Sequence, residues 1–224
     1  DSDSEIAFCH TATEFFTSEG VIVATTGAFQ RSYVRPGAEL VESFLRGKRV
    51  VNSSSMFRRS LFEAVGGWSS DYRNCMDIDL WYRLMLHRKV GYIGSILVGF
   101  RSHSITDGWT TLLVDEHIDW LRNAFALLPP SLRHLREIEE DVIAMYSARG
   151  ARALGHLPAT EERVRVISKL QAQPGSEGVR STLDHWYQRA MQAVRPRATV
   201  LAAKLPERAR HTIGDLARMR FPFR

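Results

Sequence analysis

The sequence predicts an α/β protein: a partial sheet-and-helix layer over residues 1–108, followed by an α-helical extension over 109–224 with a basic carboxyl-terminal tail. Three observations predict it. Short apolar runs bounded by glycine turns alternate with helical patterns as far as about residue 110. Beyond that point the pattern is helical almost throughout, punctuated by Pro129–Pro130, Pro174, Pro196 and Pro206. Hydrophobic residues make up 44% of the chain and charged residues 25%, which suits a packed core and excludes wholesale disorder.

Glu5–Thr11 (EIAFCHT) and Gly20–Thr26 (GVIVATT) read as two strands joined by a turn at Ser18–Gly20. Pro36–Arg46 reads as a helix with Pro36 in its first turn and Gly47 as its stop. Val50–Phe57 is extended. Ser60–Val65 is a short helix, with Ser60 and Glu63 spaced as a capping box and Gly66–Gly67 ending it. Asp77–Arg88 is a helix whose Leu80 and Leu84 share an apolar face, with Asp77 in the first turn, where the helix dipole favours a carboxylate. Val90–Phe100 is a strand with internal glycines, so a bend or bulge is expected. Helices follow at Trp109–Leu128, Ser131–Leu154, Thr160–Ala172, Ser181–Val194 and Pro206–Arg220.

Charge and cysteine usage narrow the classes further. Residues 180–224 hold ten Lys or Arg against three acids, whereas the whole chain is only +5. The basic excess therefore belongs to the tail, which suggests an anionic surface such as membrane lipid, or else a solvated helical face. No named nucleic-acid module accompanies it, so no specific nucleic-acid partner is expected. Cys9 and Cys75 form no disulfide framework or metal-type spacing and read as buried reduced thiols, in keeping with a cytoplasmic protein. No apolar run is long enough to span a bilayer. The eight histidines show no zinc spacing, and neither a phosphate-binding glycine loop nor a nucleophile elbow is present.

The most informative stretch is Val51–Thr106. It carries NSSSMFRRSLFEAVGGW, then MDIDLWYRL, then GFRSHSIT. In order and spacing these motifs resemble the second half of family-2 glycosyltransferases of the GT-A fold: a Ser-rich segment, Arg-Arg, a Gly-Gly-aromatic turn, an acidic pair opening a helix, and Arg-x-His. The resemblance extends loosely back to residue 5 and does not reach the helical part with any specificity. It implies an inverting transfer of sugar from a nucleotide-diphosphate donor to the hydroxyl of a saccharide or lipid-linked acceptor.

By that resemblance Asp77 is the general base that takes the acceptor proton. Met76 replaces the glutamate that usually precedes it. Asp79 lies about 200° further around the helix and reads as an ordinary first-turn acid. Arg101 and His103 correspond to groups near the diphosphate and a divalent cation, Mn or Mg, with His103 as a ligand or as a plain loop histidine. Ser54 and Ser55 match the sugar loop, whose hydroxyls both donate and accept. Trp68 is the candidate for stacking on a sugar, while Trp81 is expected in the core. Arg58 and Arg59 face phosphate or acceptor, or pair with a surface acid. Asp1-Ser2-Asp3 spells the family's metal motif but lacks the strand that should precede it, so a plain turn is expected. The donor-binding half then lies outside this sequence, and residues 1–224 alone are expected to be inactive. The alternative is a non-catalytic module of this kind whose basic tail binds a partner or the inner face of a membrane.

Overall fold

A computed structural model describes residues 3–27, 31–101, 107–155 and 161–173. Five strands form one mixed sheet: β1 (Ile6–Phe16), β2 (Ile22–Thr26), β3 (Tyr33–Pro36), β4 (Ser55–Phe57) and β5 (Lys89–Arg101). β1 and β5 are the parallel pair at the centre. β3 lies antiparallel on the outer side of β5. The other edge of β1 is shared, antiparallel, by β4 near its start and β2 near its end. The glycine-rich β5 is irregular as expected: Thr11 pairs with Ile93 but Ala12 with Ile96, so β5 bulges at residues 94–95. The Gly94 N–H freed there is taken by Ser32 Oγ at 3.0 Å.

Helices α1 (Ala38–Leu45), α2 (Arg59–Ala64) and α3 (Met76–His87) complete the first layer. α1 buries Val41, Phe44 and Leu45, three positions on one helical face. α3 buries Leu80, Trp81 and Leu84 completely or nearly so. Trp81 is therefore a core residue, as its sequence position suggests. α4 (Asp107–Ala126), α5 (Glu139–Gly155) and α6 (Glu161–Gln171) form the helical part. That part shares one core with the sheet layer. Trp120 of α4 meets the edges of Phe44 and Tyr82 at centroid distances of 6.0 and 5.9 Å, and Tyr82 Oη donates to the Ala124 carbonyl at 2.6 Å.

Several boundaries differ from the expected ones. Pro36 ends strand β3 and does not open α1; it sits at the sheet edge, where its missing N–H costs nothing. The turn residue is Gly37. A Cβ there would stand 2.2 Å from the Met85 carbonyl oxygen and 2.6 Å from that of Arg88, so only glycine lets α1 start against α3. Ser60 does not cap α2. The N-cap is Arg58, no side chain caps it, and Glu63 bonds Arg59 at 2.8 Å. Residues 52–54 form a 3-10 turn, and so does Pro130–Ile138, whose buried Leu132 and Leu135 are spaced by three as that helix requires. His103, the Thr160 cap and the helices expected at 181–194 and 206–220 lie outside the described residues. Among the described residues no helix is long and apolar enough to cross a membrane.

Candidate functional site

The site is built around the amino end of α3. Its N-cap residue, Cys75, supplies no side-chain bond. The cap comes from α4: the Glu116 carboxylate accepts from the backbone N–H groups of Arg73 (3.0 Å), Asn74 (2.7 Å) and Cys75 (3.3 Å). A negative group at a helix amino terminus satisfies orphan donors and complements the dipole. Asp77 follows in the first turn. Its side chain is half-buried, and Oδ1 accepts from the Ile78 N–H at 2.7 Å. Burial raises its pKa above the usual carboxylate value; the backbone bonds and the Arg49 charge oppose that without cancelling it.

Arg49 is the cation beside it, brought by the loop that follows α1. It donates to the Phe44 carbonyl (3.0 Å), to His117 Nε2 (2.5 Å) and to Tyr146 Oη, so it ties that loop to α4 and α5. A guanidinium can only donate, so His117 Nε2 must accept and the imidazole carries its proton on Nδ1, 3.9 Å from Cys75 Sγ. His117 is thereby a neutral histidine: burial, then the Arg49 charge, push its pKa down to about 3. The Cys75 thiol is pushed up to about 12 by burial and by the carboxylates of Glu116 and Asp77. It is an inert, reduced thiol. Arg49 has no carboxylate within ion-pair distance among the described residues, and burial lowers its pKa.

Arg49 also lines a cavity of about 440 Å³ between the sheet and α1. Its wall is aromatic. His10 stands 4.9 Å from Tyr92 and Tyr33 5.2 Å from Tyr92, centroid to centroid. The Tyr92 hydroxyl donates to the Gly27 carbonyl. Burial pushes the His10 pKa down to about 4, so this ring too is neutral. Neither the Arg49 cluster nor this wall was legible in the sequence, because their members come from residues 10, 33, 49, 92, 117 and 146.

The other sequence-derived residues are distributed around this centre. Ser54 is buried and Ser55 half-buried, and both hydroxyls donate to their own turn, to Val51 O at 2.8 Å and Asn52 O at 2.6 Å, which leaves their lone pairs to accept. Trp68 is 41% exposed at the rim of an aromatic cluster with Phe57, Phe62 and Trp81, so one part of the indole faces solvent. Arg83 holds that turn in place. It pairs with Asp79 at 2.7 Å and donates to the carbonyls of Val65 and Gly67. Asp79 is thus a structural acid, as its angular position suggests. Arg83→Leu is expected to cost about 2 kcal/mol by stranding Asp79 and two carbonyls. Urea titration checks this, together with a change in Trp68 fluorescence.

Arg58 is engaged elsewhere: Nε donates to Ile6 O at 2.9 Å and Nη2 to Asp3 O at 2.8 Å, clasping the start of β1. Arg59 pairs on the surface with Glu63. Asp3 belongs to a turn, its carboxylate accepting from Glu5 N and Lys89 Nζ. Arg101 stacks over Phe16 at the carboxyl end of β5, 5.8 Å from the ring centroid. No group of three metal-ligating side chains occurs among the described residues. No protein-family model, characterised protein or solved structure matches the chain.

Proposed function

We propose that residues 1–224 contain the acceptor-side part of an inverting glycosyltransferase of GT-A type, with Asp77 as the general base. One observation carries the reading beyond motif order. Asp77 is a half-buried carboxylate at a helix amino end, without an ion pair within reach among the described residues, whose pKa is raised by burial. A carboxylate of raised pKa is a stronger base than an exposed one, which is what deprotonation of an attacking alcohol requires. The Arg49 charge nearby opposes part of that rise. Ser54, Ser55 and Trp68 would bind sugar beside it, and Arg101 would face the diphosphate.

The donor is a nucleotide-diphosphate sugar and the acceptor a saccharide or lipid-linked glycan. A divalent cation belongs to the reading only through His103, and no step here is routed through it; the Asp3 carboxylate already has partners in Glu5 and Lys89. Most of the donor site would come from a nucleotide-binding unit outside these residues. Val21, Ile22 and Val23 on one flank of the sheet and Leu97 on the other, each more than half exposed, offer an apolar surface for it. The basic segment 180–224 would hold the enzyme at an anionic cytoplasmic membrane face.

Asp77→Asn tests the base. In protein that includes the donor-binding unit, turnover is expected to fall at least about 100-fold while donor binding is kept. The same substitution is expected to raise the melting temperature. An acid whose folded pKa lies above its unfolded value stabilises the fold at low pH, and that contribution is lost as pH rises through the folded pKa. Removing the charge removes the penalty. Near-normal turnover would exclude Asp77 as the base, whatever the melting temperature does.

A further inference from the structure

The 440 Å³ cavity under α1 has a use that the transferase reading does not assign. We propose that it binds a monosaccharide carrying one anionic group, with Arg49 and Lys48 holding the anion and Tyr33, Tyr92 and His10 forming the apolar wall. Volume is the first consideration: the space suits one or two sugar rings and lies within the usual range of small-molecule sites. Charge is the second. Arg49 and Lys48 are adjacent lining residues, and neither has a carboxylate within ion-pair distance among the described residues.

Arg49 is costly to leave in this state. A guanidinium bonded, among the described residues, only to neutral partners (a carbonyl, an imidazole and a phenol) would be balanced by an anion in the cavity it lines. The wall is the third consideration. Aromatic rings present apolar faces to the C–H side of a sugar, while the hydroxyls of Thr11, Thr26 and Ser43 can meet its polar edge.

Arg49 also acts electrostatically on Asp77, so the cavity and the proposed base share one cation. An anion bound to Arg49 would offset that charge and so weaken its stabilisation of the ionised Asp77 carboxylate. Assigning this ligand as the acceptor rests on the transferase reading; the binding itself does not.

The experiment measures binding without transfer, by calorimetry and by NMR of the Tyr33, Tyr92 and His10 rings. The probes are glucose 6-phosphate, glucuronate and glucose. At least one anionic probe is expected to bind about tenfold or more tightly than glucose and to shift those rings. The tighter of the two identifies the anion as phosphate or carboxylate. Lys48→Ala, at an exposed position, is expected to weaken that probe about fivefold and leave the fold intact, and Arg49→Met to weaken it more. Equal binding of charged and neutral probes, or none at about 10 mM, or binding unchanged in Lys48→Ala, overturns the proposal. Each of these outcomes leaves the Asp77 test of the transferase reading standing.

Discussion

Acidification from pH 6.5 to about 4.5 is expected to remove about 5 kcal/mol of folding stability, an amount comparable to the whole stability of many domains. The source is two histidines held neutral inside the fold, His10 with its pKa pushed down to about 4 and His117 to about 3, against 6.5 when exposed. Both shifts are caused first by burial. For a group whose folded pKa is depressed, the stabilisation is complete above the unfolded value and is lost as pH falls through the folded one. Between those limits the unfolded chain binds the extra proton, and each histidine contributes a slope of about 1.4 kcal/mol per pH unit. Asp77 acts in the opposite direction, since its raised pKa favours the fold as it protonates, and so offsets part of the loss.

Chemical denaturation at a series of pH values measures the slope. His117→Gln keeps an acceptor for Arg49 and removes one titration, so the slope is expected to halve; His10→Phe keeps the packing on Tyr92 and removes the other. Stability that stays level between pH 6.5 and 4.5, or imidazole protons that titrate near 6.5, would show that neither ring is held neutral.

The same residues show what a sequence reveals and what it hides. Helical periodicity located α1, α3, α4, α5 and α6, because each buries a face whose repeat is local, and apolar runs between turn residues located β1, β2 and β5. Sequence patterning also anticipated the β5 bulge from its glycines and the burial of Trp81 from its helical phase. It missed β3, a four-residue edge strand whose only signal was Tyr-Val before a proline. It missed the 3-10 character of Pro130–Ile138, where two leucines three apart fit either helix. The local capping box at Ser60 did not form, since Glu63 found a partner in Arg59. Asp77 was legible as a first-turn acid. Its surroundings were not, because Glu116 and His117 reach residues 73–75, and Arg49 with Tyr146 joins them, through tertiary packing. Arg83, the arginine of MDIDLWYRL, likewise finds partners no local pattern indicates: it ties α3 to the Gly66–Gly67 turn through the Val65 and Gly67 carbonyls.

Glu116→Ala is expected to destabilise the fold by about 3–4 kcal/mol, the largest loss from any single side chain around the site. Three backbone N–H groups converge on its carboxylate, and the α3 amino end has no cap of its own. Hydrogen bonds to a charged acceptor are worth about 1.5–3 kcal/mol each, and a half-buried helix end regains only part of that from water. Glu116→Gln keeps one acceptor oxygen and loses the charge facing the dipole, so about half the effect is expected. Hydrogen exchange localises the change: amides 73–75 are expected to lose protection before the centre of α3 does. Cys75 gives an independent signal. Glu116 is the second cause of its raised pKa, so either substitution lowers that pKa and speeds its alkylation at high pH. Glu116 lies on α4, outside the region of family resemblance, so a helix beyond residue 108 is what orients the proposed base. Glu116→Ala with unchanged stability and unchanged exchange at 73–75 would mean that α3 holds Asp77 without help from α4.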